Sequence, residues 1–242
     1  MTYCVGLKTD QGLVFMSDTR TNAGLDNIST FSKMRTWEVS GERVIVLLSA
    51  GNLATTQAVT SILDERSKAP DDRHPTLLDT PSMFQTARLI GSVVKEVICD
   101  AAPAGQTADA FAASFILGGQ IKGGEPRLFY IYPEGNFIES SADTPFFQIG
   151  EHKYGKPILI RAYEPAMSFD DTVKLLLVSF DSTLKSNLSV GLPLDMQVYE
   201  SGSLRLGPSR RFERDDPYYL SISEGWSEAL KAAFHSLPPL RT

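Results

Sequence analysis

The sequence predicts an α+β layered sandwich, two sheets with pairs of helices outside them, and three observations carry that reading. Short β-branched and apolar segments arrive in groups; blocks with apolar residues at three- and four-residue spacing separate those groups; and Gly, Pro and Asp mark the joints. At 242 residues the chain is long enough for one substantial core and somewhat long for two, so a single domain over 1–242 is expected.

The first elements are residues 3–9 (YCVGLKT) and 12–18 (GLVFMSD), which read as a hairpin closed by the turn signal Asp10-Gln11-Gly12. A second pair follows at about 35–40 and 43–50 across Gly41, and the second member, RVIVLLSA, is a continuous apolar run suited to a strand buried on both faces. The four segments are expected to form one sheet. After Gly51 the period changes: LATTQAVTSILDERSK and PSMFQTARLIGSVVKEVICD read as two helices, with Pro81 near the start of the second. Residues 112–119, 127–132 and 136–140 return to strand composition and give a second sheet, with GGQIKGG at 118–124 as a hairpin turn. Helices are expected at about 151–162 and 168–186, the latter with Asp170 and Asp171 at the positive end of its dipole. Two strands near 195–206 complete the sheet, and SISEGWSEALKAAFHSL is a last amphipathic helix ended by Pro238-Pro239.

Composition excludes several functions. A formal charge of −6 and a pI near 5.1 argue against nucleic acid as a partner, because phosphate contacts need a basic face. No apolar run reaches the ~20 residues of a membrane span, and no signal-peptide pattern opens the chain, so a cytoplasmic protein with no membrane partner is expected. Cys4 and Cys99 have no paired spacing and read as buried small apolar residues. His74, His152 and His235 are scattered, and GGQIKGG lacks the order of a phosphate loop, so neither a metal nor another cofactor is expected. The run RRFERDD at 210–216 reads as a solvated surface or, with its alternating signs, an inter-subunit contact.

Four stretches go further than pattern. Thr2 stands at the start of the first strand, SDTR at 17–20 closes the second, Lys33 lies before the third, and SAG at 49–51 enters the first helix. Their order and spacing resemble the proteasome β-subunit and HslV family of N-terminal-threonine hydrolases, and most closely its bacterial ancestral β-subunit group, Anbu. The resemblance covers about residues 2–200, with 201–242 similar to that group's C-terminal extension. It implies a four-layer αββα sandwich of the N-terminal nucleophile hydrolase type. It also implies a peptidase subunit of a homo-oligomer (ring, lock-washer or helical) acting on a peptide or protein, with Met1 as the only residue to be removed.

The chemistry of the residues agrees with that spacing. A threonine hydroxyl needs a base, and an α-amine with an unperturbed pKa of about 7.7–8.0 is close enough to neutrality to serve, so an N-terminal Thr2 carries its own. Lys33 supplies a cation that lowers the cost of an alkoxide-like oxygen, and the hairpin sets Asp18 where it can hold both Lys33 and the Thr2 backbone. Gly51, with no side chain, admits a substrate backbone and offers an N–H to an oxyanion. By resemblance, Thr21 contacts an extended peptide, Arg20 braces its loop, and Ser49 floors a roomy first specificity pocket.

Downstream the chain departs from the family. Gly150 is followed by Glu151 and His152 where relatives carry Ser, and KSNLSVG offers Asn187 and Ser189 where they carry Asp and Ser. Ser189 remains a candidate contact for the Thr2 amine. Two alternatives stay open: an amidase of the same nucleophile class acting on a non-peptide or conjugated amide, and an inactive assembly scaffold. The presence together of Thr2, Asp18 and Lys33 speaks against the scaffold.

Overall fold

A computed structural model describes residues 2–22, 28–68, 75–101 and 108–240. The opening hairpin forms as expected: β1 (Tyr3–Thr9) pairs antiparallel with β2 (Gly12–Asp18), in the register Cys4 opposite Ser17. A two-stranded ribbon absent from the sequence reading follows, β3 (Arg20–Asn22) against β4 (Ile28–Thr30). Next come β5 (Met34–Val39) and β6 (Arg43–Gly51), then α1 (Leu53–Lys68) and α2 (Met83–Ala101). Strands β7 (Ala113–Ile121), β8 (Arg127–Ile131) and β9 (Phe137–Glu139) form a meander; the GGQIKGG stretch is a turn only in its last three residues, because Gly118–Ile121 continue β7 in register with β6.

The expectation that the first four strands share one sheet is wrong. The orders are β10-β1-β2-β11-β12 and β5-β6-β7-β8-β9, where β10 is Phe146–Gly150, β11 Leu194–Glu200 and β12 Ser209–Phe212. Each hairpin recruits a different neighbour: β11 takes the free edge of β2, β10 that of β1, and β7 that of β6. The two hairpins then meet face to face, with Cys4, Leu13 and Phe15 against Val44, Val46, Leu48 and Ile116 in one inter-sheet core.

The opposite faces meet helices. On β1, Tyr3, Val5 and Leu7 point away from the other sheet and pack on Leu176 and Phe180 of α4 (Phe169–Ser186). On β6, Ile45 and Leu47 pack on Val59 and Leu63 of α1 and Ile90 and Val94 of α2. The layers are therefore helices, sheet, sheet, helices, and every residue of β2 is buried because both of its faces are covered.

Three boundaries move. The segment read as helix from 151 begins only at α3 (Lys156–Ala162), because 146–150 is strand β10 and Gly150 ends it in the left-handed region. The closing strands are 194–200 and 209–212, not a pair within 195–206. The last helix, α5 (Pro217–His235), starts earlier than its amphipathic pattern, because Asp216 caps the N–H groups of Tyr218 and Tyr219. Cys4 is buried, but Cys99 is exposed on the outer face of α2, one residue past buried Ile98. Three charges of RRFERDD pair within the chain: Arg211 grips Asp195 with two bonds (2.7 and 3.0 Å), and Arg210 meets Asp216 at 2.8 Å, while Glu213, Arg214 and Asp215 are exposed. His74 and Met1 lie outside the described residues. Among the described residues, no helix is long and apolar enough to cross a membrane.

Candidate active site

The β1–β2 register places Asp18 across from Tyr3, at the end of the hairpin where the chain begins. Its carboxylate is wholly buried and receives only donors. Oδ1 accepts the Tyr3 backbone N–H at 3.0 Å and the Lys33 ammonium at 2.6 Å, and Oδ2 accepts the Gly191 N–H at 3.3 Å. The backbone donor is thus Tyr3, one peptide unit beyond the Thr2 expected from the sequence. Burial pushes the Asp18 carboxyl above its ordinary value, and the Lys33 ammonium and the two N–H groups oppose that push. Three donors with no partnering acceptor define a carboxylate, so Asp18 and Lys33 form a buried ion pair.

Lys33 sits at the entry to β5 and gives a second hydrogen bond, 2.7 Å, to the Arg20 carbonyl. One ammonium hydrogen is left without a protein acceptor among the described residues, on a side chain that lines a cleft of about 330 Å³ together with Thr2. Arg20, Thr21, Ser49 and Gly51 line the same cleft, so of the residues singled out in the sequence it gathers Thr2, Lys33, Gly51, Thr21, Ser49 and Arg20. Asp18 stands behind Lys33. Gly51 holds φ +117°, and a Cβ there would lie 2.3 Å from the Ala112 carbonyl oxygen, so only glycine leaves this wall bare. Ser49 is small, its N–H bonded to the Lys33 carbonyl at 2.9 Å, which ties the cleft floor to the residue carrying the ammonium.

The other side of Thr2 is built from β10 and the loop after α4. The Thr2 carbonyl accepts the Glu151 N–H at 2.6 Å, and Gly150, at φ +81°, lies so close that a Cβ would come within 2.0 Å of that carbonyl oxygen. The Glu151 side chain turns inward. Oε1 accepts the N–H groups of His152 and Lys153, both at 2.9 Å, and Oε2 accepts the Asn187 amide at 2.8 Å. Burial alone would raise this carboxyl, but the Lys153 N–H, the Asn187 amide and the His152 N–H outweigh it and hold Glu151 below the usual carboxylate range. Asn187 in turn accepts the Ser189 N–H at 2.9 Å. Ser189 itself is not among the residues lining the cleft; it belongs to the loop behind it.

Arg20 links the two sides. Its guanidinium donates to the Leu188 carbonyl at 2.8 Å and covers Gly191, where a Cβ would fall 2.2 Å from Nε. The reading of Arg20 as a brace matches this geometry. The sequence reading missed Tyr3 and Gly191, because they act through backbone N–H groups that no side-chain pattern marks. It also missed Arg35, which does carry a signal: two residues after Lys33 on a strand, it must share the lysine's face.

The profile of the proteasome subunit family matches residues 2–196. The chain is 50% identical to the solved structure of Anbu from Hyphomicrobium sp. strain MC1, with all of both chains covered and a TM-score of 0.92. This chain belongs to the proteasome subunit family, in its Anbu branch. Anbu from Pseudomonas aeruginosa, solved as a helical assembly, is 44% identical over 100% of this chain and 99% of its own, with a TM-score of 0.93. Proteasome subunit beta 2 of Pyrobaculum calidifontis is 26% identical over 202 residues, 83% of this chain and 90% of that protein. The sheet and helix layers are those of the N-terminal nucleophile hydrolase sandwich, as in other members of the proteasome family.

Proposed function

We propose that the chain is a threonine-type hydrolase subunit that cleaves peptide bonds inside a homo-oligomeric particle, with Thr2 as nucleophile once Met1 is removed. The observation that carries this reading is the buried Asp18–Lys33 pair, anchored one peptide unit from Thr2 and offering a free ammonium hydrogen to the cleft that Thr2 lines.

In this mechanism the freed Thr2 amine takes the hydroxyl proton as Oγ1 attacks the substrate carbonyl carbon. Lys33 stabilises the charge on Oγ1, Asp18 keeps Lys33 ionised and aimed, and the backbone at Gly51 donates to the oxyanion. The protonated amine then passes its proton to the departing amine as the C–N bond breaks, leaving an ester on Thr2. Water, deprotonated by the same amine, hydrolyses that ester and restores the hydroxyl. Thr21, in a ribbon strand at the cleft edge, holds the substrate backbone, and Ser49 floors the pocket for the residue before the scissile bond. Ser189 enters through the loop that Asn187 and Arg20 hold. Assembly agrees with the exposed apolar side chains along α5, among them Leu220, Leu230 and Phe234.

A second reading, an amidase for a non-peptide or conjugated amide, is favoured by the buried Glu151 carboxylate bonded to Asn187 beside Thr2, at a position where the resemblance implies Ser. Side-by-side turnover of peptide and non-peptide amides separates the two.

The test is intact-mass measurement before and after treatment with an electrophile that captures hydroxyl and amine of an N-terminal threonine together. The native protein is expected to lack Met1 and to gain one adduct per chain, and Thr2→Ala to fold, assemble and gain none. Retained Met1, or labelling that persists in Thr2→Ala, removes Thr2 as nucleophile.

A further inference from the structure

We infer that the cleft selects a substrate with an acidic side chain at the residue whose carbonyl Thr2 attacks. This rests on the hydrolase reading above for the reaction, but on the cleft alone for the preference.

The cleft lies between the start of β5, the end of β6 and the first turns of α1. Lys33 and Arg35, two residues apart, project from one face of that sheet edge; Ser49 lies across from Lys33, and Leu47 is the partner of Arg35. The opposite wall is the face of α1 carrying Leu53, Thr56, Gln57 and Thr60. Among the described residues no Asp or Glu lines this space, whereas Arg20, Lys33 and Arg35 do, although the whole chain carries a net −6.

The three cations are not equivalent. Lys33 is neutralised by Asp18, and the Arg20 guanidinium is turned to the Leu188 carbonyl. Arg35 is exposed and makes no hydrogen bond or ion pair among the described residues, so its five donors face the cleft and solvent. The carboxylates nearest in sequence on the flanking elements are committed elsewhere: Asp64 of α1 accepts the Trp37 indole N–H at 2.8 Å, and Glu38 of β5 accepts the Leu206 N–H at 3.2 Å.

Two further features act in the same direction. The first turn of α1 carries no acidic residue, so the positive end of its dipole is uncompensated by any carboxylate there, while Leu53 and Thr56 of that turn line the cleft. Ser49 leaves the floor open without supplying a charge of its own. An entering Asp or Glu side chain therefore meets a planar guanidinium suited to bidentate pairing, whereas a Lys or Arg meets two like charges.

The experiment compares peptides differing only in Glu, Leu or Arg at that position. Turnover is measured with wild-type protein on their fluorogenic amides, and binding with Thr2→Ala on the matching carboxamides by fluorescence anisotropy. Glu is expected to exceed Leu by about tenfold and Arg to be weakest in both measurements. Arg35→Ala is expected to bring Glu to the level of Leu, and Arg35→Glu to reverse the order of Glu and Arg. The inference is overturned if Leu binds Thr2→Ala as well as Glu does, or if Arg35→Ala leaves the Glu to Leu ratio unchanged. If Glu binds best but the wild type neither turns over nor labels, the hydrolase reading fails and the pocket preference stands.

Discussion

The two sides of Thr2 both bury a carboxylate, and they neutralise it in opposite ways. Asp18 is matched by a full charge, Lys33, at 2.6 Å. Glu151 is matched chiefly by dipoles, two backbone N–H groups and the Asn187 amide at 2.8–2.9 Å, with a smaller electrostatic contribution from His152. A charge matched by a charge depends on both members being present, and removing one strands the other. A charge matched by several dipoles loses only a fraction of its support with each partner. The first arrangement suits a lysine that must stay charged and aimed; the second suits a frame that holds the chain around it.

The largest effect expected from this contrast is on Lys33. Lys33→Met leaves Asp18 buried among N–H donors without its cation and should destabilise the protein by about 3–5 kcal/mol in denaturant unfolding, with labelling of Thr2 lost. Replacing both members, Asp18→Leu with Lys33→Met, should recover most of that stability but none of the labelling. If the double variant is no more stable than the single one, charge pairing is not what stabilises this side.

Gly150 sharpens the comparison from the other side. Its left-handed φ and its closeness to the Thr2 carbonyl predict that Gly150→Ala costs about 1–3 kcal/mol and slows labelling by displacing Thr2. Labelling at the wild-type rate would show that this contact does not set the position of Thr2. Glu151→Gln should cost less, about 1–2 kcal/mol, because an amide accepts the two N–H groups but presents a donor to Asn187.

The smallest effect is one of sign in pH. Glu151 is held below the ordinary range, so its stabilising contribution is present above the unfolded-state pKa and lost as pH falls through the folded one. Asp18 is raised, so its contribution runs the other way: it is present at acid pH and lost as pH rises from the unfolded value through the folded one. Unfolding free energies measured across the acid range should therefore change slope in opposite senses in Glu151→Gln and Asp18→Asn. Parallel changes would mean the two carboxylates share one environment.

The Asp18 side was readable in the sequence because it is local. A hairpin with a clear turn fixes where residue 18 falls relative to residue 3, and Lys33 precedes a strand whose partner begins at Gly41's far side. The Glu151 side was not, because its parts come from β10, the turn before α3 and the loop after α4, and only the folded layers bring 151 to 187. The short run FFQIG carries too little periodicity to mark a strand by itself, so the strand that pins Thr2 has no counterpart among the elements expected from the sequence. The wrong grouping of the first four strands has the same origin. Pairing within a hairpin is written locally, but which edge each hairpin offers to β7, β10 or β11 is decided by burial of both faces.

Arg20 gives these two sides a common fate. Its carbonyl orients Lys33 and its guanidinium holds the 187–191 loop, so displacing that loop pulls on the residue that aims the ammonium. A fluctuation that loosens the loop is therefore expected to reach both sides, and the backbone amides of Tyr3, bonded to Asp18, and Lys153, bonded to Glu151, are expected to exchange with solvent in a single concerted opening. Such a site is expected to open as a whole, so that Thr2 does not lose the neighbours on one side while keeping those on the other.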